Sequence, residues 1–283
     1  MTGEVLRGGF AERQGLSLGE VQVTLLVPLY ARALETQRPD ALIRDPTAVR
    51  LVQSIAYDFW HLGQAPEESV LRAAIFDELV ADFLGTHPCA TVVDVGVGLN
   101  TRHERADNGR ACWVDVDLPD VIELRRRCLA ANDRRTTVAG SLLEREWPGL
   151  AKRCPAPYLI VIEGVLMYFA EHEVRWALTL LADAFPGAVV AFDTAAVSLM
   201  GSAGARVARG TRARLRWWCD DARQVEEWDR RYALQRSWSL ATLPPPLARR
   251  LPFRYQFIQA QLRVLERDEW NQYRVNVFTI QES

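Results

Sequence analysis

The chain has 283 residues, of which 49% are hydrophobic and 25% charged, and its formal net charge is −2. This length and composition suit one large α/β domain with additions, or two small domains. The nearly balanced charge, without a long basic run, excludes the electrostatic footprint of a nucleic-acid-binding protein. No apolar run approaches ~20 residues and no N-terminal signal pattern is present, so we expect no membrane partner and a cytoplasmic location.

The first part of the chain predicts a loosely held tail and then helices. Residues 1–18 are rich in glycine and polar groups, and we expect them to be flexible. Apolar spacing, Asp45-Pro46 and an acidic first turn after Pro66 each predict a helix. The predicted helices lie at 21–36, 46–55 and 66–84.

From residue 89 onward, predicted strands and helices alternate. They are strand 91–95, strand 112–116, helix 119–131, strand 136–139, short helix 142–151, strand 158–163, helix 171–184 and strand 188–193. Such alternation with short connections specifies a parallel sheet covered on both faces. Ligands bind such sheets at the carboxyl ends of the strands. We therefore expect Gly98, Asp117, Ser141 and Glu163, which all follow predicted strands, to converge on one cleft.

The last part of the chain predicts an insertion and a closing strand pair. Arginines interspersed with alanine in 197–233 predict a charged helical insertion over the cleft, or else a solvated helix whose arginines pair with nearby acids. Alternating patterns in 252–263 and 272–280 predict two antiparallel strands that close the sheet. The domain prediction is a flexible 1–18 and a single domain over 19–283, made of a helical cap (19–88), a Rossmann-like core (89–196), the helical insertion (197–233) and C-terminal strands (234–283).

The most informative stretch is a glycine-hinged loop between two apolar strands. Gly96 and Gly98 have no Cβ, so the loop can turn sharply and its backbone can approach a ligand. Asp117 ends the second strand and is suited to accept hydrogen bonds from a ribose diol. Thr101 stands where the dinucleotide fingerprint Gly-x-Gly-x-x-Gly needs its third glycine, which disfavours a pyrophosphate. The loop therefore predicts S-adenosylmethionine as cofactor over a nicotinamide, with an unliganded strand-turn-helix as the alternative.

Cysteine and histidine patterns predict neither disulfides nor a metal site. Five cysteines form no C-x-x-C pair, and their odd number is awkward for a disulfide framework. Four histidines show no H-E-x-x-H spacing. We expect reduced thiols and no metal.

Several motifs, in this order, resemble the leucine carboxyl methyltransferase superfamily and its bacterial branch of polyketide-tailoring O-methyltransferases. They are Tyr30-Ala31-Arg32-Ala33-Leu34-Glu35, Arg44-Asp45-Pro46, Arg72 with Phe76-Asp77-Glu78, Gly96-Val97-Gly98-Leu99-Asn100-Thr101-Arg102, Arg105-Ala106-Asp107-Asn108-Gly109, Asp115-Val116-Asp117-Leu118-Pro119 and Glu163-Gly164-Val165-Leu166-Met167-Tyr168. The resemblance implies an α/β fold of the class I S-adenosylmethionine-dependent methyltransferases, with a Rossmann-like sheet of seven strands, the last antiparallel, and an N-terminal helical cap.

The resemblance also implies a set of cofactor-binding residues. Arg72 would hold the carboxylate of the methyl donor, Gly96 and Gly98 would lie beneath its methionine part, Asp117 would bind the ribose, Ser141 and Leu142 would lie beside the adenine, and Glu163 would lie under the reacting centre. The alternative for Arg72 is an ion pair with Asp77 or Glu78 on its own helix.

Two positions depart from the family pattern. Asn100 replaces an aspartate, and it keeps the hydrogen-bond geometry but not the charge, so reduced cofactor affinity is expected. Ser141 stands where the eukaryotic branch has aspartate, and its hydroxyl is a weaker acceptor for the adenine amino group.

The acceptor is predicted from the chemistry that the sequence lacks. A carboxylate is ionised at neutral pH, whereas a phenol with a pKa near ~10 needs a base. His103 follows the glycine loop, but a surface position is an equally good interpretation. We therefore predict O-methylation of a carboxylate on a small polyketide-like natural product, with Arg32 and Tyr168 orienting the acceptor or the donor carboxylate. Packing is the alternative role for Tyr168.

Other predictions concern the pocket and the rival functions. One or two of Trp60, Trp217, Trp218, Trp228 and Trp238 are expected to line the acceptor pocket. The rival functions are methylation of a phenolic or enolic hydroxyl or of a nitrogen, non-catalytic binding of S-adenosylmethionine, and a nicotinamide oxidoreductase. The expected partner is a small-molecule acceptor, with a homodimer left open.

Overall fold

The computed structural model describes residues 22–62, 67–199, 214–264 and 271–282. The predicted flexible segment 1–18 lies outside them. The α-helices are α1 (Leu26–Thr36), α2 (Pro46–Ser54), α3 (Glu67–Thr86), α4 (Arg102–Ala106), α5 (Pro119–Cys128), α6 (Trp147–Ala151), α7 (Glu171–Ala184), α8 (Gln224–Trp228), α9 (Pro245–Arg249) and α10 (Phe253–Val264). The strands are β1 (Thr91–Val95), β2 (Cys112–Asp117), β3 (Arg135–Ala139), β4 (Tyr158–Ile162), β5 (Val189–Ala195), β6 (Tyr232–Ser239) and β7 (Tyr273–Ile280).

The described strands form one sheet in the order β3-β2-β1-β4-β5-β7-β6. Strands β1 to β5 pair in parallel, and β7 pairs antiparallel with both β5 and β6. The central strands are buried on both faces, which is why β1 and β4 are continuous apolar runs interrupted only by Asp94 in β1. The sheet is therefore the core of an α/β fold.

Register brings the carboxyl ends of the parallel strands to one edge. Val95 of β1 lies opposite Val116 of β2, and Asp117 lies opposite Ala139 of β3. The loops that leave β1, β2, β3 and β4 consequently start side by side.

Helices α1, α2 and α3 form the N-terminal cap, and local sequence explains where they begin. Asp45 caps α2 by accepting a hydrogen bond from the backbone N–H of Ala48 at 2.8 Å, and Pro46 occupies the first turn. Two acids stabilise the first turn of α3 against the helix dipole.

The prediction of a strand over 252–263 is wrong, because Phe253–Val264 is the helix α10. Phe253, Tyr255 and Phe257 look like an alternating strand pattern, yet Tyr255 is 1% exposed while the two phenylalanines are 77% and 52% exposed. Burial instead follows helical spacing, with Leu251 and Tyr255 inward. The partner of β7 is β6 (Tyr232–Ser239), which spans the predicted boundary between 197–233 and 234–283.

The helical insertion lies later in the chain than predicted. Within the described residues 214–233, helix is confined to Gln224–Trp228, and residues 200–213 lie outside the described ranges. Helices α9 and α10 instead enter between β6 and β7 and join the cap. Arg254 pairs with the buried Glu35 of α1, and Arg250 pairs with Glu78 of α3 at 2.7 Å. The cap is thus built from both ends of the chain.

Candidate active site

A cavity of about 610 Å³ opens at the carboxyl ends of the parallel strands, below the cap. The nine residues predicted for the site all line it: Arg32, Arg72, Gly96, Gly98, Asp117, Ser141, Leu142, Glu163 and Tyr168. They come from two cap helices and from the loops after four strands, so the fold brings together residues that are far apart in the chain.

The glycine loop after β1 is shaped by two positive φ angles. Gly96 has φ +68° and Gly98 has φ +50°, a region that side chains disfavour. A Cβ on Gly96 would lie 2.3 Å from Cγ2 of Val165, and one on Gly98 would lie 3.2 Å from Cβ of Leu25. Both glycines are therefore required for the cap and the β4 loop to approach this backbone.

Asp117 at the end of β2 holds the glycine loop from the other side. Its Oδ2 accepts a hydrogen bond from the backbone N–H of Gly98 at 2.7 Å, and its Oδ1 accepts one from Leu118 at 2.8 Å. Burial raises the pKa of Asp117, and these two N–H donors oppose that rise. The carboxylate is thus oriented by the backbone, with its remaining lone pairs at the cavity wall.

Arg72 of α3 is held by residues from three strands. Its Nε donates to Oε1 of Glu163 at 2.8 Å, its Nη1 donates to Oη of Tyr273 at 3.1 Å, and Nη1 lies 3.6 Å from Oδ2 of Asp193. The alternative pairing with Asp77 or Glu78 is not what the structure shows. Nη2 makes no hydrogen bond to the described residues, and the side chain is 16% exposed.

A buried layer of charges lies beneath the cavity. Arg102 of α4 contacts the carboxylates of Asp94 and Glu163 and lies 3.2 Å from Asp77. Burial alone would raise the pKa of Glu163, but the charges of Arg72 and Arg102 outweigh it and lower the pKa to about 2. For Asp94 burial prevails, despite the contact with Arg102, and raises the pKa to about 6. Glu163 is therefore a fixed anion at neutral pH.

Arg32 of α1 serves the loop more directly than the open cavity. Its Nε donates to Asp45 at 2.8 Å, its Nη2 donates to the carbonyl oxygen of Leu99 at 2.8 Å, and the side chain is 2% exposed. Because both interactions tie the cap to the glycine loop, this geometry favours a positioning role over the predicted contact with the acceptor.

Asn100 matches its surroundings as an amide. Its Oδ1 accepts from the backbone N–H of Arg102 and from Nη2 of Arg105, both at 3.1 Å, and its Nδ2 donates to Oε2 of Glu163 at 3.2 Å. The amide therefore bridges two arginines and one carboxylate, which is the ordering of Arg102 that we expected of this position.

The far end of the cavity is suited to a flat apolar ring. Leu118, Val121 and Leu142 line it, beside Gly140 and Ser141. The Ser141 backbone N–H donates to Glu144 at 2.9 Å, and this turn explains why helix α6 begins at Trp147 rather than at the predicted residue 142.

Tyr168 lies in the short 3-10 helix Leu166–Tyr168 after β4. Burial raises the pKa of its phenol, and a hydrogen bond to Thr24 opposes the rise. At neutral pH the hydroxyl is therefore protonated and serves as a hydrogen-bond group rather than as a base.

Sequence reasoning missed two residues of the Arg72 network. Asp193, near the end of β5, accepts hydrogen bonds from the Gly164 N–H at 2.8 and 3.0 Å and from the hydroxyl of Tyr273. Asp193 had a usable signal, because it ends a predicted strand as Asp117 does. Tyr273 had none, since the position of β7 beside β5 is a property of the sheet.

Two aromatic predictions are corrected by the structure. No tryptophan lines the cavity among the described residues, and Trp217 is 3% exposed in the core against Phe192. His103 is neither exposed nor in the cavity wall. It packs edge-on against Trp113 with ring centroids 5.3 Å apart, and burial lowers its pKa.

The residues present fit S-adenosylmethionine. The two glycines leave backbone where any Cβ would intrude, Asp117 offers oriented carboxylate oxygens, and Arg72 supplies a guanidinium nitrogen at the opposite end. In the described part of the chain, no group of three or more His, Cys, Asp or Glu side chains is arranged to hold a metal ion. Within the same ranges, no helix is long and apolar enough to cross a bilayer.

Comparison with known proteins gives a consistent result. Residues 26–182 match the leucine carboxyl methyltransferase family. The tetracenomycin polyketide synthesis O-methyltransferase TcmP of Streptomyces glaucescens is 32% identical over 234 residues, which cover 81% of this chain and 86% of TcmP. The S-adenosyl-L-methionine-dependent methyltransferase dpfgK of Gibberella zeae is 24% identical over 256 residues, or 78% of this chain and 83% of dpfgK.

Solved structures agree in fold. A DUF574 family protein from Streptomyces avermitilis superposes with a TM-score of 0.60 at 15% identity, covering 92% of this chain and 97% of that chain. At this identity the likeness concerns the fold.

Proposed function

This chain belongs to the leucine carboxyl methyltransferase family and is an S-adenosylmethionine-dependent methyltransferase, and we propose that it methylates a carboxylate of a small, polyketide-like natural product. Its similarity to TcmP over most of both chains supports the acceptor class.

The donor is proposed to lie along the strand ends. Asp117 binds the ribose hydroxyls, and Nη2 of Arg72 binds the methionine carboxylate through a single nitrogen, because Nε and Nη1 are engaged by Glu163 and Tyr273. The glycine loop passes beneath the methionine part, and the adenine lies against Leu142 beside Ser141. Glu163 holds Arg72 and Arg102 in place below the reacting centre and carries a full negative charge.

The observation that carries the acceptor assignment is the chemistry of the cavity wall. Among the described residues that line it there is no histidine. Burial raises the pKa values of Tyr168 and Tyr273, so neither phenol is a base at neutral pH. Asp94 has a pKa of about 6, but it is 3% exposed and in contact with Arg102. A carboxylate acceptor needs no base, because it is ionised already.

The bound donor supplies a methyl group on a sulfonium, which is activated for in-line displacement. The chain supplies proximity and exclusion of water, which provide most of the acceleration that such a transfer needs. The cap residues Leu25, Val27 and Pro28 cover the strand ends with apolar surface. Tyr168 offers a protonated hydroxyl that orients the acceptor.

A label-release assay tests this proposal. The enzyme is given donor with a tritiated methyl group and a panel of aromatic polyketide-type acids, each with a matched phenol and amine. A methyl ester releases volatile labelled methanol in mild alkali, whereas methyl ethers and N-methyl groups do not. Alkali-labile product with a rate that is flat between about pH 6 and 8 is expected. Alkali-stable product, or a rate that rises towards a pKa near ~10, contradicts a carboxylate acceptor.

The same experiment separates catalysis from simple binding. Heat of binding with S-adenosylhomocysteine, but no transfer to any acceptor class, contradicts the proposed acceptor class and favours a non-catalytic role.

A further inference from the structure

Arg216 has a fixed backbone and an exposed side chain at the cavity wall. Its backbone N–H donates to the carbonyl oxygen of Met167 at 2.7 Å, and the N–H of Trp217 donates to the same oxygen at 3.2 Å. Trp217 is buried in the core, so the segment is anchored immediately after Arg216. The Arg216 side chain lines the cavity and is 51% exposed.

The other arginines of the described cavity wall are committed elsewhere. Arg32 is 2% exposed and bound to Asp45, and Arg72 is 16% exposed and bound to Glu163. Within the described residues, the ion pair of Arg216 is with Glu173, whose Oε2 lies 3.0 Å from Nη1. Arg216 is therefore the accessible cation of this wall.

The ion pair with Glu173 is of a kind that exchanges easily. Oε2 of Glu173 also accepts a hydrogen bond from the Ala170 N–H at 2.7 Å, so the start of α7 holds this carboxylate in place. A half-exposed pair stabilises a fold by at most about 1 kcal/mol. Stability therefore does not explain why Arg216 is at this place, and a second carboxylate can share the guanidinium at little cost.

The surroundings of Arg216 are apolar. Leu199, Leu215, Phe169 and Leu240 line the same cavity. A single accessible cation in an apolar wall is complementary to a flat hydrophobic molecule that carries one acidic group.

We propose that Arg216 is an acceptor-binding residue that pairs with the carboxylate of a flat apolar acceptor, and that Glu173 positions the guanidinium for this. The inference rests on the proposed function, since it assigns the acceptor half of the same site.

Binding measurements with a charged and a neutral probe test the assignment. Calorimetry measures 2-naphthoate and 2-naphthamide on full-length enzyme saturated with S-adenosylhomocysteine. Wild-type enzyme is expected to bind the acid about tenfold more tightly than the amide, and Arg216→Gln is expected to abolish this preference without changing the affinity for the amide. Glu173→Gln, which releases the guanidinium, leaves affinity for the acid equal or higher.

Arg175→Gln is the matched control. Arg175 is also half-exposed and paired to a glutamate, Glu171, but it does not line the cavity, so both affinities stay unchanged. The assignment is overturned if wild-type enzyme does not prefer the acid, if Arg216→Gln leaves that preference intact, or if Arg216→Gln weakens both probes equally.

The outcome is separable from the label-release assay. If binding of the acid depends on Arg216 but the methylated product is stable to alkali, then the Arg216 site stands and the carboxylate acceptor falls. If the product is labile to alkali but the preference for the acid does not depend on Arg216, then the carboxylate acceptor stands and the Arg216 site falls.

Discussion

The hydroxyl of Tyr273 lies 3.1 Å from Nη1 of Arg72, although 201 residues separate the two in the chain. Tyr273 donates its own proton to Asp193. The final strand of the sheet thereby fixes the direction of an arginine that the cap helix α3 supplies, and the site is complete only when the C-terminal strand has paired.

Tyr273→Phe should therefore weaken donor binding without abolishing it. The change removes the acceptor from Nη1 of Arg72 and the donor from Asp193, so the affinity for S-adenosylhomocysteine is expected to fall by about tenfold, or ~1.4 kcal/mol. Calorimetry measures this. Tyr255→Phe is the control, because Tyr255 is equally buried and bonds Glu35 at 3.2 Å, outside the cavity wall. Equal losses in both variants would point to stability alone.

Asp117→Asn tests the ribose assignment. The amide can accept from only one of the two N–H groups of Gly98 and Leu118 and replaces a charged acceptor with a neutral one. We expect the dissociation constant of S-adenosylhomocysteine to rise by about tenfold or more. Asp107→Asn, which alters a carboxylate bound to Arg134 far from the cavity wall, should leave it unchanged. Unchanged affinity in Asp117→Asn would remove the ribose role.

Gly96→Ala should destabilise the protein. Its φ of +68° is unfavourable for alanine, and the new Cβ would meet Cγ2 of Val165 at 2.3 Å. A loss of about 1–3 kcal/mol in the free energy of unfolding is expected from backbone strain, with the clash added. Urea denaturation measures it. Gly149→Ala in α6, where no heavy atom lies within 4 Å of the new Cβ, should be neutral or slightly stabilising. A Gly96→Ala protein as stable as wild type would show that the loop relaxes.

Glu163→Gln should produce a stability loss that depends on pH. The folded-state pKa of about 2 lies below the ordinary value of 4.5, so the charged form stabilises the fold above about pH 4.5. This contribution is lost as the pH falls from 4.5 towards 2. We expect a loss of roughly 2–4 kcal/mol at pH 7 that shrinks by pH 3, measured by urea denaturation at both.

Glu171→Gln is the control for this series. Glu171 is 52% exposed and pairs with Arg175 on the surface of α7, so its loss should be small at every pH. A Glu163→Gln deficit of the same size at pH 7 and pH 3 would mean that the glutamate acts through packing rather than through its charge.

Local sequence determined the core of the fold, its family and its cofactor. Strands β1 to β5 are apolar runs bounded by turns, and the α/β class, the family assignment and S-adenosylmethionine are all confirmed. The loop after β1 was readable because Gly96 and Gly98 meet a backbone requirement that no other residue meets as well. The roles of the individual site residues stay predictions.

Tertiary structure decided what local patterns left ambiguous. Phe253, Tyr255 and Phe257 alternate like a strand, and only packing against the cap shows that Tyr255 alone is inward in a helix. Arg72 had three acids within reach by sequence, and the sheet selected Glu163, with Tyr273 and Asp193, over its helical neighbours. Hydrophobic period and glycine geometry are properties of a few adjacent residues, whereas the pairing of buried charges depends on which strand ends meet, and that is fixed only when the whole sheet is assembled.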